Sequence, residues 1–177
     1  MGPRAYVLVT SFGADRPGIV DDLAAWFLEH GGNIEESRMA RLGSDFASLV
    51  LVSGPPELAE RLEATRERFE AAANLRVVLK VVREPAPAAQ PMRRYRLEAT
   101  ALDHPGIVQR LAHVLRRHGA SIAEATTHLE QAPFTSAPVF RVAMEVDVPA
   151  QAPLGPLRAE LAEAAEKDGI DIELRPA

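Results

Sequence analysis

The chain has no cysteine. Disulfides, thiolate zinc sites, iron–sulfur ligation and cysteine nucleophiles are therefore all excluded. Aromatic residues make up only 5% of the 177 residues, with a single tryptophan. No stretch approaches the roughly 18 consecutive apolar residues of a membrane-spanning helix. The opening Met1-Gly2-Pro3-Arg4 leads into a short alternating run, not into the apolar segment of a secretory signal. Basic charge is not in excess: the net charge is −5, and it stands at −2 up to Arg83 and −3 beyond it. Such a balance gives little attraction for a phosphate backbone. Arg93-Arg94-Tyr95-Arg96 is the one basic cluster and reads as a solvated strand entrance. A soluble, cytoplasmic protein is expected, with no membrane contact and no direct nucleic-acid contact.

What the chain does contain is a repeat. Asp15-Arg16-Pro17-Gly18-Ile19-Val20 returns 88 residues later as Asp103-His104-Pro105-Gly106-Ile107-Val108. The register continues ungapped through Leu23/Leu111, His30/His118, Gly31/Gly119, Ile34/Ile122 and Glu36/Glu124. A period of that length is too long for a solenoid unit and suits a complete small domain. Residues 84–92 are rich in proline and alanine, which favours an extended, semi-rigid path. Two domains are expected, 1–83 and 93–177, joined by that linker.

Both halves show the same periodicities. Tyr6–Phe12 and Arg94–Leu102 are β-rich; Ile19, Leu23, Trp26 and Phe27 then recur at helical spacing until Gly31-Gly32. Pro17 with Asp15 reads as a helix start capped by a carboxylate. Strands follow at Asn33–Leu42 and Phe46–Ser53, then a helix from Pro55-Pro56 to about Ala73, then a strand at Arg76–Val82. In the second half the counterparts are a helix at 105–118, strands at 121–129 and 139–148, a helix at 156–167 and a strand at 170–174. The order βαββαβ predicts an α+β protein of two ferredoxin-like domains. Each would be a four-stranded antiparallel sheet with two helices on one face. The uncovered sheet faces favour pairing between halves or with a second chain, so a homodimer is expected.

The repeated turn has one chemical capability of note. A glycine lets a ligand approach the backbone closely, and the first-turn amides of the following helix are unpaired and electropositive. A carboxylate can be received there, with Asp15 or Asp103 accepting from an ammonium group.

A βαββαβ unit with Asp-Arg-Pro-Gly-Ile-Val, a helix and then Gly31-Gly32-Asn33-Ile34 resembles the ACT domain. ACT domains are regulatory modules that bind amino acids and related metabolites. The tandem arrangement resembles the bacterial glycine cleavage system transcriptional repressor family. The motif is also similar to ACT units leading formyltetrahydrofolate deformylases, but no catalytic domain follows here. The resemblance implies a ligand at an interface between two ACT units, near the first strand–helix turn and the start of the second strand. Carried onto this chain, that points to Asp15, Arg16, Pro17, Gly18, Ile19, Asn33 and Ile34. In the second copy it points to Asp103, Pro105, Gly106, Ile107, Ser121 and Ile122. Arg16 becomes His104 and Asn33 becomes Ser121; the first copy keeps the fuller motif and is favoured if only one site is competent. The second copy carries an insertion at 130–137.

The implied function is a non-enzymatic regulator. It binds a small amino acid, of the glycine or serine kind, and controls a protein partner, a regulator or an enzyme. No cofactor and no metal is expected: the helix-end histidines His30 and His118 read as structural, and neither a phosphate loop nor a His-Glu-x-x-His pattern is present. Two alternatives stand beside it. One is a structural or dimerisation module whose turn is only a helix cap. The other is a small acyl-phosphate hydrolase, which would require Arg16 and Asn33 to converge on one anion.

Overall fold

The computed structural model describes residues 4–83, 90–131 and 137–177. It divides into two compact units that part between Ala86 and Pro87. The first runs β1 (Ala5–Ala14), α1 (Ile19–Glu29), β2 (Asn33–Leu42), β3 (Asp45–Gly54), α2 (Leu58–Ala73) and β4 (Arg76–Val82). The second runs β5 (Met92–Leu102), α3 (Ile107–Arg117), β6 (Ser121–Gln131), β7 (Pro138–Pro149), α4 (Leu154–Asp168) and β8 (Asp171–Pro176). The strand orders are β2-β3-β1-β4 and β6-β7-β5-β8, antiparallel throughout. Each unit is thus the ferredoxin-like sheet expected from the pattern. Residues 132–136 of the expected insertion and 84–89 of the expected linker lie outside the described residues.

Alternation within the central strands decides which face is dry. Val7 and Val9 on β1 and Val50 and Val52 on β3 point inward against Leu23, Phe27, Leu58 and Leu62 of the helices, all but fully buried. The second core repeats the scheme with Leu97, Met144 and Val146 against Leu111, Leu115, Leu157 and Leu161. Between the two inner strands of the first sheet, Ser11 and Ser48 are buried and hydrogen-bonded to each other at 2.7 Å. The pair therefore leaves no hydroxyl unsatisfied in the core.

The edge strands β2 and β6 are largely exposed, and each has a β-bulge at the same place, Ile34/Glu36 and Ile122/Glu124. Bulges and charged residues on an edge oppose unwanted strand pairing. On α2, the one-turn pairs form as their spacing predicts: Arg61 to Glu57 at 3.9 Å and Arg66 to Glu70 at 3.1 Å. No helix among the described residues is long and apolar enough to cross a membrane.

Candidate functional site

Both repeated turns adopt one conformation. Gly18 and Gly106 sit in the left-handed region, at φ 88° and 100°, immediately before α1 and α3. Their carbonyls accept the first helical bonds, from Asp22 N–H at 2.9 Å and Arg110 N–H at 3.0 Å. The helices therefore begin after the glycine, two residues beyond the proline, and neither has a side-chain cap. This corrects the expectation of a carboxylate cap. Asp15 instead donates its backbone N–H to the Ser44 carbonyl, and its carboxylate lies 3.6 Å from Arg41. The first-turn amides are left without protein acceptors from a cap, at the positive end of each helix.

The two turns differ in what covers them. In the first, Arg16 folds back over Gly18: its guanidinium donates to the Ala73 carbonyl at 3.0 and 3.2 Å, to Asp22 at 2.6 Å and to the Pro17 carbonyl at 3.2 Å. Phe46, opposite Gly13 at the end of β1, is buried. In the second, His104 stands where Arg16 stood and turns Nδ1 toward the Pro105 carbonyl at 3.2 Å, while its Nε2 is buried without a partner. The Asp22 position is taken by Arg110, which pairs with Asp168 at 2.6 Å. Arg110 also stands beside Gly106, its Nη2 3.7 Å from where a β-carbon there would lie, as Arg16 Nη1 is 3.8 Å from that of Gly18. Phe140, opposite Ala101, is only half-buried. An open cleft of about 500 Å³ lies beside this turn, lined by Asp103, His104, Pro105, Gly106, Val108 and Phe140, among others. Phe140 was not foreseen from the sequence; its equivalence to Phe46 emerges only from strand register.

The residues expected to share a site separate into two groups. Asp15, Arg16, Pro17, Gly18 and Ile19 gather at the end of β1, and Asp103, Pro105, Gly106 and Ile107 at the end of β5. Asn33 and Ile34 lie at the other end of the first sheet, since Asn33 pairs with Ser53 and Ser53 with Tyr6. From Tyr6 to Ala14 is about 26 Å of strand at ~3.3 Å per residue. Ser121 and Ile122 are displaced in the same way, opposite Asp147 and Val146. Within one unit, then, turn and second-strand residues do not converge. Arg16 and Asn33 likewise fail to form the anion loop that an acyl-phosphate hydrolase would need. Ile19 and Ile107 are core residues, each 2% exposed, and offer a ligand only their backbone.

Around Asn33 the structure is a local polar knot. The bulge turns Glu35 so that it accepts from the Ser53 hydroxyl and from Asn33 Nδ2 at 3.4 Å. Those two hydrogen bonds, Ser53 foremost, hold the Glu35 carboxyl below its usual range, with the Arg4 charge adding to them. A wider groove of about 620 Å³ lies between α3 and α4. Its cations are already engaged: Arg110 with Asp168, Arg117 with Glu160 and Lys167 with Glu163. It has no charge to spare for an anion.

A model of the ACT domain matches residues 5–80. Over 156 residues the chain is 30% identical to the glycine cleavage system transcriptional repressor of Escherichia coli K12, covering 86% of this chain and 80% of that one. The chain belongs to the glycine cleavage system transcriptional repressor family. Its whole architecture recurs in solved structures. An unknown protein from Galdieria sulphuraria superposes with a TM-score of 0.84 at 30% identity, over 99% of each chain. A crystal structure assigned to such a repressor superposes with 0.72 over 98% of each, and at 21% identity that likeness speaks for the fold. Members of this repressor family are therefore a guide to the kind of protein this is, an ACT-domain regulatory protein.

Proposed function

We propose that this chain binds a small amino acid of the glycine or serine kind at its strand–helix turns and thereby controls a protein partner. It has no catalysis of its own in this reading. The observation that carries it is the cleft at the second turn. There, the uncapped start of α3 and Asp103 border one open cleft with ample room for a small amino acid. The amides suit the ligand's carboxylate and Asp103 its ammonium group. The first turn offers the same backbone beneath the Arg16 side chain, and Arg110 stands as near the glycine of the second.

The relative's name supplies the context: it is a transcriptional repressor of the glycine cleavage system. Carried to this chain, a net charge of −5 favours action through a DNA-binding partner over direct contact with DNA. Ligand binding changes the partner's affinity only if it favours one conformation over another.

Isothermal titration of glycine and L-serine into the wild-type protein and into Asp103→Asn tests the site. Binding that weakens at least about tenfold in the variant, a loss of ~1.4 kcal/mol, is the expected result. No heat with any amino acid would leave a structural module and end the proposal.

A further inference from the structure

The outer sheet faces, those opposite the helices, differ sharply between the units. In the second unit Arg94 holds Asp147 at 2.8 Å and Glu145 at 3.4 Å, and Arg96 and Arg175 share Glu98 at 2.7 and 3.0 Å. Covering such a face would strip water from many charges at once. In the first unit the same face presents Leu8, Phe12, Leu49, Leu51 and Val78. Phe12, Leu49 and Val78 are 51%, 47% and 58% exposed. A contiguous apolar surface on a sheet is a contact surface.

Register gives that surface a polarity. One row across the four strands reads Lys80, Leu8, Leu51, Glu36 from β4 to β2. The next reads Val78, Thr10, Leu49, Arg38, and the third Arg76, Phe12, Ala47, Ala40. Cation and carboxylate thus stand at opposite ends of a row with leucines between.

We infer that this face pairs with the same face of a second copy of the chain, about a two-fold axis lying between the sheets and parallel to the strands. Strand β4 of each copy then overlies the partner's β2. Lys80 meets the partner's Glu36, and this happens twice, because a two-fold contact is self-complementary. Leu8 and Leu51 meet the partner's Leu51 and Leu8 across the ~10 Å spacing of aligned sheets. The alternative two-fold, running across the strands, sets Lys80 over the partner's Arg76, and like charges oppose it. Glu36 is within 3.2 Å of Arg38, but both side chains are about two-thirds exposed, so that pair yields little by rearranging. This pairing does not depend on amino-acid binding.

Sedimentation velocity across a concentration series tests it, with circular dichroism to confirm that each variant is folded. Wild type is expected to dimerise, and Leu49→Glu or Val78→Glu to give a folded monomer. Ala143→Glu, on the outer face of the second sheet, should leave the dimer intact. Lys80→Glu should raise the dissociation constant about tenfold, and adding Glu36→Lys should restore it to within a factor of about three. A monomeric wild type, a dimer indifferent to Leu49→Glu, or a charge swap that fails to restore pairing would each overturn the inference.

Discussion

Arg16 binds Asp22 at 2.6 Å and at the same time donates to the carbonyl of Ala73, 57 residues away in the chain. One side chain so ties the turn before α1 to the last residue of α2. The Ala73 carbonyl lies at a helix end, where acceptors outnumber donors. Arg16→Ala removes a charged donor from it and an ion pair about two-fifths exposed. A loss of about 1 kcal/mol is expected by urea unfolding followed through Trp26. The double variant with Asp22→Ala should cost less than the sum of the two single changes, because the residues are directly coupled.

Trp26, Thr65 and His30 form a closed chain of hydrogen bonds. The Trp26 indole N–H donates to Thr65 Oγ at 2.9 Å, and Thr65 lies 3.1 Å from His30 Nε2. His30 Nδ1 lies 2.7 Å from the Trp26 carbonyl, which can only accept. The neutral ring therefore carries its proton on Nδ1, and Nε2 shares the Thr65 hydroxyl hydrogen with the Arg61 and Leu62 carbonyls, each 3.3 Å from Oγ. Thr65→Val keeps the shape but leaves an indole N–H and a ring nitrogen without partners. It should cost about 1–3 kcal/mol. Since Trp26 is the sole tryptophan and stacks on Phe69 at 4.4 Å, its fluorescence reports this unit alone in an equilibrium unfolding measurement.

The strand and helix pattern was legible because both halves obey simple periodicities. The inner strands alternate, as Val7 and Val9 show, and the helices bury every third or fourth residue, as Ile19, Leu23, Trp26 and Phe27 show. Helix starts were less legible. Proline normally marks a first turn, yet here the left-handed Gly18 intervenes and delays α1 to Ile19. The turns were visible as motifs, but their covering was not. Whether Arg16 lies over Gly18 or swings away depends on Ala73 and Asp22, and nothing in local sequence links position 16 to position 73. Likewise Asn33 looked adjacent to the turn in the motif, whereas the intervening helix carries the chain to the far end of the sheet.

Gly13 shows how a close approach differs between the repeats. A β-carbon added there would come within 2.6 Å of the Asn74 carbonyl oxygen and 3.0 Å of the Leu75 side chain. The equivalent residue of the second unit is Ala101, buried without difficulty. Gly13→Ala must therefore push the α2–β4 corner outward, at a cost of about 1–3 kcal/mol typical of overpacking. Ala101→Gly, which opens no such clash, should lose less. Comparing urea midpoints of the two variants separates the effects. Equal losses would show that the corner moves freely.

Arg94 sets a pH dependence on the second unit. Its guanidinium donates to both oxygens of Asp147, at 2.8 and 3.1 Å. That hydrogen bonding, with the Arg94 charge behind it, holds the Asp147 carboxyl below its ordinary value of 3.8. A carboxyl with a lowered folded-state pKa binds fewer protons folded than unfolded, so its contribution is complete above about pH 5 and fades as the pH falls through the unfolded and then the folded value. Stability measured from pH 6 down to pH 2 should therefore fall less steeply in Asp147→Asn than in wild type, with the difference confined to the range below about pH 5. Because Arg94 is half exposed, the effect should shrink at 1 M salt. Parallel acid-unfolding curves for the two proteins would show that the ion pair contributes nothing to the native state.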